Sequence, residues 1–342
     1  MSIRKIAKLA GVSAATASMA LRSHPKISTA TRRRVAAAAR QLRYKPNAQV
    51  AELMGLIRSS KSAYTEACFG IISFYETERP WTKSVHLARM HEGMRTRAEA
   101  FGYRLEPFWL RSPGTTPRRL RSILDARGIE GLLCFGSPDI EEEFPAEFDH
   151  FAIVTQGLSI RTRLHRIINH AYNDTWHALD RIYKLGYRRP GLILGRYEDV
   201  RGAHANVSAY FGWCEHMLGA PVPIPVLRVR GVEESDLSQW LRLHRPDVVI
   251  FAHVYDALPR LATFLREQKI RVPQDLGVVA VSQVIRGTGF SGFEENQALM
   301  GQWAVELLMA RIVNRDWGIP TYPRTEMVES EWVEGGSLRH QE

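Results

Sequence analysis

From Ala67 onward, short apolar runs alternate with longer stretches in which apolar residues recur every three or four positions. The runs predict strands at 68–75, 104–109, 131–135 and 151–155, then at 191–194, 226–229, 247–252 and 277–282. Helical spacing predicts helices at 85–101, 117–126, 175–185, 205–218, 237–243 and 257–267. Strands alternating with helices in two successive series predict two parallel-sheet lobes covered by helices. The first sixty residues follow another pattern. Residues 3–10 set Ile6, Leu9 and Ala10 on one helical face, and residues 14–21 set Ala17, Ala20 and Leu21 on another. Gly11-Val12-Ser13 lies between them, with Gly11 permitting the turn and Ser13 able to cap the second helix. A third helix follows Ser28, and Val35, Ala38, Ala39 and Leu42 are expected to close a core over Leu9 and Leu21. The chain is therefore predicted to be an all-α helix-turn-helix head plus an α/β body.

Charge separates the same two parts. The 342 residues carry a formal net charge of +10. Residues 1–61 hold thirteen Lys/Arg and one acid, Glu52, so the remainder is nearly neutral. Basic residues interleaved with helical periodicity suit a phosphate backbone, whose condensed counterions they release. A solvated basic face is the plainer reading of the same residues. The three cysteines, Cys68, Cys134 and Cys214, are widely spaced and suggest a reducing compartment. No apolar run approaches the roughly 18 residues needed to span a bilayer. No leader segment is recognised. The cytoplasm is the default, with no membrane and no cofactor expected.

IAKLAGVSAATAS followed by TRRRVAAAARQLRYKPNA closely resembles the head of the lactose-repressor (LacI/GalR) family of bacterial transcription regulators. The resemblance implies that Ala14, Ala15, Ser18 and Met19 occupy recognition-helix positions that read bases. It implies that Ser13, Thr16, Ser28, Thr31, Tyr44 and Asn47 match positions that hold phosphates. Ser13 and Ser28 would be needed as caps in any helical bundle. Relatives mostly carry arginine at the place of Met19 and asparagine at that of Arg22. Arginine is the usual bidentate reader of guanine, so an operator unlike the family's commonest half-site is expected, with Arg22 one turn further along able to contact base or phosphate. Residues 47–57 place Val50, Leu53, Met54 and Ile57 in a stripe, and Leu53 matches the leucine with which the family's hinge helix wedges open the minor groove. The alternative is that this stripe packs on the protein itself. Residues 58–62 read as a flexible polar linker. The domains are thus a DNA-binding head at 1–46, a hinge helix and linker at 47–62 and a two-lobed body at 67–338.

The body resembles the periplasmic-binding-protein-like sensor of the same family, best in LGYRRPGLILG (185–195) and IRVPQDLGVVAV (270–281). The resemblance implies a first lobe of about 67–163 and 284–318 and a second of about 164–283 and 319–338. Ligands of such sheets sit beyond the carboxyl ends of the strands. This nominates Tyr75, Glu76 and Trp81, then Ser137 and Gln156, as effector residues of the first lobe. In the second lobe it nominates Tyr197, Asn206, Tyr210, His253, Tyr255 and Asp256, followed by Gln283 and Phe290. Aromatics suit the faces of a sugar ring and carboxylates or amides suit its hydroxyls, so a carbohydrate is the first class considered. The arginine, Asn-Asp pair and acid with which sugar-responsive members hold hydroxyls are largely replaced here, and the effector is not carried over.

The expected partners are double-stranded operator DNA, a small-molecule effector and a second copy of the chain, without a leucine-heptad tail for further assembly. Two other readings compete. The head could be vestigial on a small-molecule binding protein. The run Gly287-Thr-Gly-Phe-Ser-Gly292 is formally G-x-G-x-x-G, which raises a dinucleotide-dependent enzyme. That run follows the last strand of its series, and no strand with a ribose-binding acid comes after it. No H-E-x-x-H or G-x-S-x-G motif occurs.

Overall fold

The computed structural model describes residues 3–13, 16–17, 20, 27–42, 67–219, 223–229, 235–252, 257–283 and 285–339. It divides into two compact units, residues 1–63 and 64–342.

In the first unit, helix α1 (Ile3–Ala10) ends at Gly11, which adopts φ +62°. The Val12 amide turns back onto the Ala7 carbonyl at 3.0 Å. Ser13 then caps the following helix: its hydroxyl accepts the Thr16 amide at 3.0 Å, and its carbonyl accepts the Ala17 amide at 2.8 Å. Helix α2 (Thr29–Gln41) is capped in the same way by Ser28 through the Thr31 amide. Ile6, Ala7, Ala10, Ala17, Ala20, Val35, Ala38 and Ala39 form the core, with Leu42 packed against it. Leu9, expected inside, is 49 % exposed. Ala7 and Leu9 lie on opposite flanks of the Ile6–Ala10 line, and the small Ala7 lets α2 approach on its own side. Leu21 lies outside the described residues.

The body holds two six-stranded sheets. Sheet A contains β1 (Cys68–Ser73), β2 (Arg104–Trp109), β3 (Gly131–Cys134), β4 (Ala152–Gln156), β5 (His165–Asn169) and β11 (Thr325–Val328), in the order β11-β5-β4-β3-β1-β2. Sheet B contains β6 (Pro190–Gly195), β7 (Leu227–Val229), β8 (Val248–Ala252), β9 (Gly277–Gln283), β10 (Ser291–Glu294) and β12 (Glu331–Val333), in the order β12-β10-β9-β8-β6-β7. All pairings are parallel except that of β12 on β10. Helices α3 (Val85–Ala100), α4 (Pro117–Ala126) and α10 (Gln297–Asn314) cover sheet A. Helices α5 (Ala171–Lys184), α7 (Ala205–Leu218), α8 (Ser235–His244) and α9 (Leu258–Glu267) cover sheet B, with the short α6 (Arg196–Arg201) at the end of β6. The central strands are mostly apolar because both faces are covered, with polar residues such as Ser73, Thr155 and Gln156 at their carboxyl ends.

The chain passes between the lobes three times: from β5 to α5, from β10 to α10 and from β11 to β12. This shifts the lobe boundaries read from the sequence. β5 extends sheet A beyond residue 163, β10 belongs to sheet B although it follows residue 284, and β11 returns to sheet A after residue 319. The passages therefore follow strands β5, β10 and β11 and do not coincide with the apolar runs. α3 and α10 pack closely: a Cβ on Gly93 would stand 1.9 Å from the Ala298 carbonyl oxygen, and one on Gly301 would stand 2.1 Å from that of Met90. The two helices touch through bare backbone at this crossing.

Candidate functional site

The head presents a capped turn in front of its second helix. Ser13 and Thr16 hydroxyls lie 2.8 Å apart, and the Ser28 hydroxyl donates to that of Thr31 at 3.0 Å. All four side chains remain solvent-accessible, so capping leaves them able to meet a phosphate. Arg33, Arg34 and Arg40 of α2 are exposed, and Arg32 reaches back to the Ile27 carbonyl at 2.9 Å. Ala17 and Ala20 are buried in the core of the head. Ala14, Ala15, Ser18, Met19, Arg22, Tyr44, Asn47 and Leu53 lie outside the described residues.

In the body, a cavity of about 310 Å³ lies between the lobes. Sheet A contributes Tyr75, Gln156 and Asn169 at the carboxyl ends of its strands, and α3 contributes His86 and Leu87. The second lobe closes it with Glu198 and Arg201 of α6, then Gly202 and Ala205. Ala203 and His204, between them, hold left-handed φ values of 51° and 59°. Such conformations are unfavourable for residues with a Cβ and collect at ligand-binding rims. The buried Asp199 carboxylate holds this corner, accepting from Arg228 Nε at 2.7 Å and lying 3.1 Å from His204 Nδ1.

Of the nominated effector residues, Tyr75 and Gln156 line this cavity. Glu76 lines a second cavity of about 630 Å³ on the first lobe, beside Lys83 and Arg111. Trp81 stacks on His91 at 4.2 Å and packs on Phe135. Ser137 is buried, its hydroxyl donating to Glu142 and its amide to Ser159. Asn206 is spent on the Thr175 hydroxyl at 2.9 Å, and Tyr210 donates to the Pro190 and Ile224 carbonyls at 3.0 and 2.8 Å. Phe290 sits in the core under α9, and Tyr197 is half-exposed on α6 away from the cavity wall. A strand end names a loop, but the direction of each side chain depends on the pleat and on the neighbouring helix. His253, Tyr255 and Asp256 lie outside the described residues, as does the side chain of Gln283.

Sequence reasoning missed His86, Glu198 and Arg201, which only the packing of α3 and α6 brings to the cavity. It also missed a buried polar cluster behind His86. Glu295, in the passage from β10 to α10, lies 3.5 Å from His86 Nδ1 and accepts from Gln297 at 3.2 Å. Asp174, in the first turn of α5, accepts from the Ser330 hydroxyl at 2.6 Å. Burial pushes the Glu295 carboxyl up to about 8, with Asp174 adding to it, and pushes Asp174 up to about 7. Burial pushes His86 down to about 4, with Arg201 adding to it. The contact between His86 and Glu295 is therefore one of neutral groups, since burial opposes the charge on both. Glu295 and Ser330 stand in two of the three passages between the lobes, and Asp174 stands in the first helical turn after the remaining one, from β5 to α5.

The G-x-G-x-x-G run differs from its expected setting. Ser291 and Gly292 already belong to β10, where a Cβ on Gly292 would fall 1.8 Å from the Ala280 carbonyl oxygen. The run joins two neighbouring strands, whereas the dinucleotide fingerprint lies between a strand and the helix that follows it. Among the described residues no group of three or more His, Cys, Asp or Glu is placed to hold a metal ion, and no helix is long and apolar enough to cross a membrane.

A capped helix-turn-helix joined to two parallel-sheet lobes with a cavity between them defines a DNA-binding regulator with a ligand-sensing body. Residues 2–47 match the family of bacterial regulatory proteins, lacI family, and residues 179–338 match the periplasmic binding protein-like domain. The chain belongs to the LacI/GalR family of transcription regulators. It is 25% identical to the HTH-type transcriptional repressor PurR of Klebsiella pneumoniae (strain 342), covering 98% of this chain and 97% of that one. It is 21% identical to PurR of Haemophilus influenzae (strain PittEE), over 95% of each. Among solved structures it superposes on a transcriptional regulator CelR–cellobiose complex with a TM-score of 0.60 at 19% identity, covering 98% and 99% of the two chains. It superposes equally, with a TM-score of 0.60 at 16% identity, on a Lac repressor dimer bound to operator and the anti-inducer ONPF, covering 99% of each.

Proposed function

We propose that this protein is a cytoplasmic, homodimeric repressor that binds a near-palindromic operator through Ser13 to Arg22 of each head and releases or tightens it when a small molecule enters the cavity between the lobes. The observation that carries the reading is the joining of the two matched parts in one chain: a head of the lacI family at 2–47 and a two-lobed body whose cavity is lined from both lobes. Similarity to a regulator bound to cellobiose and to a repressor dimer bound to operator supports both halves. A ligand that touches both lobes binds one arrangement of them better than another, and that difference is the coupling free energy available to the head.

The test is selection of binding sites from random duplex DNA by the full chain, followed by fluorescence anisotropy on the selected site. The reading expects a two-fold symmetric site whose affinity falls steeply between 50 and 200 mM salt, and loss of binding when residues 1–61 are deleted. The absence of Arg at Met19 predicts a half-site centre that differs from the family's commonest one. Recovery of no enriched sequence would overturn the regulator reading in favour of a stand-alone binding protein.

A further inference from the structure

We infer that the ligand of the inter-lobe cavity is a hydroxylated carboxylic acid, a sugar acid in its chemistry, and that Arg201 is the residue that binds its carboxylate. The inference rests on the reading of this cavity as the effector site and adds the ligand's charge and its anchoring residue.

Arg201 is the one lysine or arginine among the described residues that line the cavity. It enters from the second lobe at the end of α6, yet its charge reaches the Tyr75 phenol of the first lobe, which lines the same cavity. It therefore stands in the gap between the lobes. Burial raises the Tyr75 phenol, and the nearby Arg201 guanidinium pulls it back. Glu198, one turn earlier on α6, pairs with the guanidinium at 3.9 Å, a distance too long for a hydrogen bond. A guanidinium carries five donors in a planar fork that matches a carboxylate. A charge neighbour held beyond hydrogen-bonding distance leaves that fork suited to a bidentate partner.

The surroundings favour an anion there. His86 beside it is neutral at neutral pH, and the Glu295 carboxyl behind it is protonated, so neither competes for the guanidinium. The remaining polar groups of the wall, Gln156, Asn169 and the Glu198 carboxylate, suit hydroxyls, the last as acceptor only. Tyr75 and Tyr172 bring aromatic rings to the wall, which suit a sugar ring or an extended carbon chain. Asn206 is held by the Thr175 hydroxyl and does not line the cavity. The positive charge thus comes to the cavity from the adjacent helix.

The test uses the full chain in a thermal-shift panel of matched pairs that differ only by carboxylate for hydroxymethyl. The pairs are D-gluconate and D-sorbitol, D-glucuronate and D-glucose, and D-galacturonate and D-galactose, each with its potassium chloride control. Calorimetry follows on any pair that shifts. We expect an acid to stabilise the protein while its neutral partner does not. Arg201→Gln should weaken that acid about tenfold or more, as expected for loss of hydrogen bonds to a charged group. Arg201→Lys should restore part of the affinity. Ala205→Trp, which fills the cavity, should abolish binding while its own unliganded melt reports its folding. A neutral sugar that binds as well as its acid, or an acid unaffected by Arg201→Gln, overturns this inference. So does a panel in which no acid stabilises the protein. The cavity reading itself survives when binding of the neutral sugar is lost in Ala205→Trp, and it falls when binding of any member persists in that variant.

Discussion

Replacing Glu295 by glutamine should stabilise the body at neutral and mildly alkaline pH. Glu295 is fully buried in the passage from β10 to α10, beside a neutral His86, and its carboxyl is pushed from 4.5 up to about 8. A carboxyl raised in this way contributes stability that is complete below its unfolded value and is lost as pH climbs through its folded value. At pH 7.5 the unfolded chain carries the carboxylate, and folding must take up a proton about three units above its ordinary affinity, a cost of roughly 4 kcal/mol at ~1.4 kcal/mol per unit. Glutamine keeps the shape and a donor toward His86 Nδ1 without that uptake, so Glu295→Gln should gain about 2–4 kcal/mol at pH 7.5. The advantage should close near pH 4.5, where the carboxyl is protonated in both states. In the wild type, stability should fall between pH 6.5 and 8. Within that window His86, depressed from 6.5 to about 4, is neutral in the folded state and contributes no slope of its own, whereas Asp174 steepens the fall below pH 7. The assay is urea denaturation of the full chain followed by tryptophan fluorescence, because all eight tryptophans lie beyond residue 66 and report the body alone. The opposite sign refutes the reasoning. If His86 and Glu295 form an ion pair, removing one charge from a buried pair costs about 3–5 kcal/mol, and Glu295→Gln would be less stable than wild type at pH 7.5.

Two further substitutions test the packing that holds the site. Gly301→Val drives a side chain into the Met90 carbonyl, where even a Cβ would stand 2.1 Å away; separating α3 from α10 should lower stability by about 3 kcal/mol or more in the same denaturation assay, beyond the usual range for a point substitution. Tyr210→Phe removes a buried hydroxyl that donates at 3.0 and 2.8 Å to two carbonyls; it should cost about 1–3 kcal/mol of stability and leave the calorimetric affinity of a cavity ligand unchanged, since Tyr210 lies behind the cavity wall.

Much of the architecture was legible in the chain. The helix at Pro117–Ala126 falls where periodicity placed it because one face stays apolar while the other stays polar, and the helix at Ala205–Leu218 and the strand at Arg104–Trp109 fall where their apolar content placed them. Strand β5, HRIIN, escaped that reading. It lies among charged residues, and its Arg166 is buried on the Leu164 and Thr162 carbonyls, which satisfy the charged head with backbone oxygens. β11 and β12 are four and three residues long, too short to show a period of two. These elements are the ones that redraw the lobe boundaries and place the three passages.

The candidate site divides along the same line. Ser13 and Ser28 as caps, Gly11 as the turn and a basic first sixty residues follow from local chemistry, since each depends on neighbours within four positions. Tyr75 and Gln156 were reachable because they stand at strand ends, where open parallel sheets bind ligands. The loss of Asn206 and Tyr210 to hydrogen bonds with Thr175, Pro190 and Ile224 depends on how neighbouring elements of the second lobe pack, and the meeting of His86 with Glu198 and Arg201 in the cavity depends on elements more than a hundred residues apart. The sequence by itself determined the kind of protein: a DNA-binding head, two sheets and a space between them, all written in short-range periodicity and composition. Only the tertiary structure decided which side chains occupy that space, which carboxyls are stripped of water in the passages between lobes, and hence what charge a ligand meets there. Burial and electrostatics are properties of what surrounds a residue, and that surrounding is assembled by folding.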